Sequence, residues 1–455
     1  MNRKTLVITA LLAAATAHAE KQHPPAPAAP RAFELPAHHD VALDNGAKLT
    51  TVAFGSVPKT TIAVIVRGGT ASETEQQIWL AELMAAGLRE GTRGKTAAQL
   101  AEAAAEMGGD LDIQVTPDHL TLTLEVLSEY APAAIALIAD VVRNPAFPEA
   151  DVARARADLV RRLAISRTNP QQLAEEQFAG ALYPGHPYSH VMPTEAMLQG
   201  YTVDQVRAFY AAHVGAAATH VYVAGKLDEA AVIRAARTAF AGWARGAEPP
   251  PVPVAPIAKP GLRVVDRPGA LQSTLVVGLP VIGPSDPDYV ALVVTDSLLG
   301  GSFGSRITSN IREQKGYTYS PFSSVAAAEG NTSWAERADV TSNVTGASLT
   351  EIFKEMARLR AEPPSAAELH GIQSLLAGTF VLRNSTRLGI IAQLAFVERY
   401  GVGDDFLRGY VQRVWAVTPA ELKRIATRYL DPKQMTLVVV GDRKVVDAQL
   451  KPWRR

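Results

Sequence analysis

The 455-residue sequence contains no cysteine. That excludes disulfides, a lipid anchor on cysteine, a thiol nucleophile and thiolate metal ligands. An excess of charge of one sign is missing too. Lys plus Arg and Asp plus Glu number 45 each, so nothing favours a nucleic-acid or anionic-membrane surface. Beyond the N-terminus, no run is long and apolar enough to span a bilayer. Histidine is scarce: the chain has 10, and none lies between His39 and His119. A helical zinc site needs two histidines one turn apart on a helix. His186 and His190 have that spacing, but "YPGHPYSH" contains Pro184, Gly185 and Pro187, which make a turn with exposed or capping imidazoles. His119 stands alone on a strand and reads as structural. No G-x-S-x-G elbow occurs in a strand–turn–helix context, and "GGSFGS" lacks the lysine of a phosphate loop.

What is there begins with "MNRKTLVITALLAAATAHA". A basic start, a short apolar core and the close Ala17-His18-Ala19 form the pattern of a signal peptide cleaved after Ala19. The expectation is export, to a bacterial periplasm, with no membrane span left after cleavage. Residues 20–36 are a Pro/Ala-rich tail, and residues 247–261, "AEPPPVPVAPIAKPG", are a semi-stiff linker. The linker separates residues 37–246 from 262–455, two domains' worth of chain. These two parts repeat each other. "TVDQVRAFYAAHVGAAATHVYVAG" from Thr202 and "TPAELKRIATRYLDPKQMTLVVVG" from Thr418 each predict a threonine-capped helix, a break, a β-branched strand and glycine. "KTTIAVIVRGG", "DHLTLTLEVL" and "QSTLVVGLPV" read as strands. "EAMLQGYTVDQVRAFYAAH", "PDYVALVVTDSLL" and "SAAELHGIQSLLAGTFVL" read mostly as helices. The fold class is α+β: two homologous α/β sandwiches, each a mixed sheet covered by helices.

"LGGSFGSRITSNIREQKGYTYS", Leu299 to Ser320, is the most unusual stretch. Ser302 or Ser305 can cap a helix buried through Ile307 and Ile311, with Arg312 in its last turn and a left-handed Gly316 ending it. "YTYS" then predicts a strand with Tyr317 and Tyr319 on one face. On these grounds alone it is either an ordinary capped helix with a dipole-compensating arginine or part of a site.

This stretch closely resembles the second-domain signature of the insulinase, pitrilysin and mitochondrial processing peptidase family of zinc metallopeptidases. "GGTASE", "GLREGTRGKTAAQLAEAAAEMGGDLDI" and "LYPGHPYSHVMPTEAML" extend the resemblance over the mature chain. It implies a clam-shell half: two similar α/β domains that enclose a peptide chamber with a partner. Active members carry an inverted motif, His-x-x-Glu-His, just before a Gly-Thr that matches Gly91-Thr92. Here those positions fall on Glu82, Ala85 and Ala86, and the family's third ligand, a glutamate on a later helix, falls near Arg162. The resemblance therefore implies that no metal is bound by this chain and that the zinc sits on a catalytic partner with an intact motif. It also implies that Arg312 and Tyr319 match the arginine and tyrosine that hold and polarise a substrate carbonyl in trans, with Gly300, Gly301 and Gly304 turning the backbone beside them. Peptides are the implied substrates. The alternative is an inert scaffold or peptide-binding protein of the same fold, like the core subunits of the respiratory cytochrome bc complex.

Overall fold

The computed structural model describes residues 33–255 and 259–454. The signal peptide, most of the tail and the linker's Pro256–Ala258 lie outside the described residues. The three apolar runs read as strands form them. "KTTIAVIVR" forms β3 (Lys59–Arg67), "HLTLTLEVL" forms β5 (His119–Leu127) and "QSTLVVGLP" forms β8 (Gln272–Pro280). In β5 burial alternates from residue to residue, whereas β8 is buried at every interior position. The second pattern belongs to a central strand covered on both faces.

The first sheet adds β1 (His38–Ala42), β2 (Lys48–Ala53), β4 (Leu111–Val115) and β6 (Thr219–Gly225), in the order β1-β2-β6-β3-β5-β4. The second contains β7 (Gly261–Asp266), β8, β9 (Phe322–Ala326), β10 (Ser333–Thr341) and β11 (Thr436–Gly441), in the order β7-β11-β8-β10-β9. Apart from β1 the two are the same sheet. β6 runs parallel to β2 and antiparallel to β3, and β11 runs parallel to β7 and antiparallel to β8. The repeat seen in sequence is the helix–strand unit that inserts this strand. Thr202 caps the helix Val203–His213 through Gln205 N–H ahead of β6, and Thr418 caps Pro419–Tyr429 through Glu421 N–H ahead of β11.

One face of each sheet packs on helices from its own half. The other face takes a helix from the opposite half. Ala174, Phe178 and Leu182 of Pro170–Leu182 pack on Val276, Ala335, Val438 and Val440 of the second sheet. Ile390, Ile391 and Leu394 of Arg387–Tyr400 pack on Val52, Ala63, Tyr222 and Ala224 of the first. Among the described residues no helix is long and apolar enough to cross a membrane.

Candidate functional site

The helix that should carry a metal motif is Leu80–Arg89. Its N-terminus is closed by the Glu73 carboxylate, which accepts from Trp79 N–H at 3.1 Å and Ala81 N–H at 2.8 Å. Burial pushes the Glu73 carboxyl up to about 8 even though these N–H groups pull it down. Ala85 faces the core and Ala86 lies at its margin. Glu82 points the other way and meets Arg162, from the helix Glu149–Ser166, in an ion pair. The Arg162 guanidinium also lies 4.4 Å over the Trp79 ring.

The position matched to a first histidine and the position matched to a third ligand are therefore in contact. That convergence is what a metal site built from those two helices requires. The donor set does not fit zinc: one carboxylate already engaged by a cation, two methyl groups and no imidazole. Burial pulls the Arg162 pKa below its usual value, and a guanidinium stays charged nonetheless. Among the described residues no group of three or more His, Asp or Glu side chains is placed to hold a metal ion.

The second site starts at the end of the helix Tyr289–Leu299. Gly300 and Gly301 lie against two buried carboxyls. A Cβ on Gly300 would come 2.4 Å from Glu336 Oε2, and one on Gly301 would come 2.4 Å from Asp296 Oδ2. Asp296 Oδ1 accepts from Ser323 Oγ at 2.5 Å and Trp334 Nε1 at 2.7 Å, and burial pushes this carboxyl up to about 6. Glu336 is 1% exposed and neither carboxyl oxygen has a partner. Burial, and the Asp296 carboxyl beside it, drive Glu336 well above the ordinary carboxyl range. Gly304 differs from the two before it. A Cβ there would meet nothing, so close packing does not account for that glycine.

Ser305, not Ser302, opens the next helix, with its Oγ accepting from Thr308 N–H at 3.3 Å. Ile307 and Ile311 are fully buried as expected, and Gly316 ends the helix at φ +65°. The backbone between is π-helical over Thr308–Gln314, a wider winding than the expected α-helix. Two carboxylate contacts fasten it. Arg306 makes a fork with Glu368 at 2.6 and 2.9 Å, and Asn310 donates to Glu355 at 2.7 Å. From this fixed base Arg312 extends between two rings, 4.2 Å from the centre of Phe303 and 5.1 Å from that of Tyr319. Sequence reasoning missed Phe303, because a single aromatic in a glycine-rich loop carries no periodic signal.

"YTYS" is not a strand. Tyr317 N–H closes back on Ile311 O at 2.8 Å, Thr318 alone bridges to Val340, and Pro321 delays the strand to Phe322. Tyr317 therefore packs on the second core, while Tyr319 turns out to solvent at 81% exposure, and the two do not share a face. The histidine turn also differs in part. His186 does cap, accepting from Tyr188 N–H, but it is buried and donates to Pro253 O at 2.7 Å, tying down the proline-rich segment. His119 lines a cavity of about 250 Å³ beneath the helix Arg387–Tyr400. Burial and the Arg399 guanidinium hold it neutral, at about 4.

Comparison with known proteins agrees with this geometry. Residues 52–193 match the family model for insulinase (peptidase family M16), and residues 200–376 match the peptidase M16 inactive domain. A protein named an uncharacterized zinc protease in Streptomyces coelicolor is 25% identical over 423 residues, covering 88% of this chain and 89% of that one. Among solved structures, a peptidase M16 inactive domain from Pseudomonas fluorescens superposes with a TM-score of 0.84 at 23% identity, over 89% of this chain and 98% of that one. A protease from Helicobacter pylori does so with a TM-score of 0.84 at 18% identity, over 90% and 100%. The two structures share the fold.

Proposed function

We propose a non-catalytic role for this chain, which belongs to the insulinase (M16) peptidase family. It acts as one subunit of an exported, periplasmic, two-subunit peptidase and forms half of the peptide chamber. Its own residues bind and orient the substrate. The Arg312 guanidinium and the Tyr319 hydroxyl donate to the peptide carbonyl that becomes negative during attack. A catalytic relative with an intact His-x-x-Glu-His motif supplies the metal and the hydrolytic chemistry.

The observation that carries this reading is the Glu82–Arg162 ion pair, with Ala85 and Ala86, where ligands and general base would stand. Arg312 and Tyr319 support the other part. Arg312 is charged and anchored, and Tyr319 is too exposed to owe its place to packing. The N-terminal leader pattern supports export. The test is to purify the mature chain alone and with a relative that has the intact motif, then to measure peptide hydrolysis and zinc. The chain alone is expected to be inactive and the complex active, with Arg312→Ala or Tyr319→Phe slowing turnover without loosening assembly. Hydrolysis with stoichiometric zinc in the chain alone overturns the proposal.

A further inference from the structure

The cavity of about 250 Å³ beneath the helix Arg387–Tyr400 is walled by both halves of the chain. One wall is the face of the first sheet that this helix covers, and another includes Glu329, from the turn between β9 and β10. Most of the charged side chains around the cavity are spent on each other. Arg399 Nη1 donates to Asp118 Oδ2 at 3.1 Å, and Lys48 Nζ donates to Glu398 Oε1 at 2.8 Å. His220 lies between Glu398 Oε2, at 2.5 Å, and Thr50 Oγ1, at 2.7 Å. Glu248 has Arg245 at 3.9 Å. Two opposite charges remain. Arg67 ends β3 and is exposed, and Glu329 is half-buried. Among the described residues neither makes an ion pair, so they do not reach each other across the cavity they share.

We infer that this cavity binds a short peptide with both termini free, its carboxylate on Arg67 and its ammonium on Glu329. The ligand chemistry follows from what each wall lacks. A phosphate or other anion satisfies Arg67 and leaves Glu329 facing a like charge. An amine without an acid does the reverse. Opposite charges fixed on different walls select a molecule that carries both. Between them Ile65 and Ala395 offer apolar contact for Cα and methyl groups. The volume equals that of about eight waters at roughly 30 Å³ each, which suits a peptide of two small residues. Because Arg67 belongs to the first half and Glu329 to the second, the ligand ties the halves together. The site is independent of the carbonyl-binding reading, since neither Arg312 nor Tyr319 lines this cavity.

Calorimetric titration of the mature chain with dialanine, N-acetyldialanine and dialanine amide tests the site. Dialanine is expected to bind, and each blocked form about 10- to 100-fold more weakly, the loss that follows one missing charged contact. Arg67→Met should weaken dialanine by a similar factor and leave dialanine amide, which has no carboxylate, unchanged. Glu329→Gln should weaken dialanine equally and leave N-acetyldialanine unchanged. Arg67→Lys keeps the charge and should restore most of the affinity, which separates a lost contact from a disturbed fold. Equal binding of all three compounds, or no dialanine binding at millimolar concentration, overturns the site. Dialanine binding that both Arg67→Met and Glu329→Gln leave intact overturns it too, because the peptide then sits elsewhere on the chain.

Discussion

The two halves share a sheet topology but differ in what their charged side chains meet. In the first half, Glu82 and Arg162 neutralise each other across two helices, and alanines fill the remaining positions. In the second half, the Arg312 guanidinium lies between two exposed rings with Glu313 3.4 Å from its Nε, and the Tyr319 ring beside it is open to solvent. A corner whose charges are spent on each other has nothing to offer a ligand. The two halves repeat one sheet scaffold, and their side chains put its charged groups to different use.

Four sets of substitutions test that contrast, taken from the largest expected effect. In a complex with a catalytic relative, Arg312→Ala or Tyr319→Phe should lower turnover by about 10²–10³-fold, the usual loss when one aligned donor is removed. Thermal melting should barely change, and steady-state kinetics with a melt on each variant decides between recognition and packing. Next comes the glycine loop. Gly300→Ala and Gly301→Ala place a methyl 2.4 Å from a buried carboxyl oxygen and should cost about 1–3 kcal/mol in denaturant unfolding. Gly304→Ala should be close to neutral, and equal losses at all three would show the loop is not held by those carboxyls.

The buried carboxyls themselves predict a pH dependence. Folding raises both pKa values above their unfolded values, Asp296 to about 6 and Glu336 well above the ordinary carboxyl range, so the folded state binds the extra protons. Their contribution is complete below about pH 4 and is lost as pH rises through the folded values. Glu336→Gln keeps the shape without the ionisation. Its melting temperature should match the wild type near pH 5 and exceed it increasingly toward pH 8.5, whereas parallel curves would show that Glu336 does not titrate on unfolding. The smallest effect belongs to the first-half corner. The Glu82 and Arg162 side chains are 27% and 49% exposed, so Glu82→Ala should cost only about 0.5–1 kcal/mol. In the complex it should leave turnover unchanged. A large loss of activity there would mean the first-half corner still handles substrate.

Much of this was legible beforehand, for local reasons. Thr202 and Thr418 announce their helices because a cap is a contact between neighbours three residues apart. The resemblance could put Glu82, Ala85 and Ala86 at the motif positions because they stand in register with Gly91-Thr92. "YTYS" misled because alternation predicts a strand, while the closing bond from Tyr317 to Ile311 and the interruption at Pro321 decide where the ladder starts. The crossing of helices Pro170–Leu182 and Arg387–Tyr400 onto each other's sheets could not be read at all. An apolar stripe shows that a helix is covered, not by which sheet.

By itself the sequence determined the two-part α+β architecture and the seven-residue spacing of Arg312 and Tyr319, because each depends on residue type and position along the chain. Only the tertiary structure decided that Glu82 and Arg162 neutralise each other, that Glu336 lies unpartnered beneath Gly300, and that Phe303 shares Arg312 with Tyr319. Those contacts join residues brought together by packing, and a pattern along one chain does not encode which distant side chains come within reach.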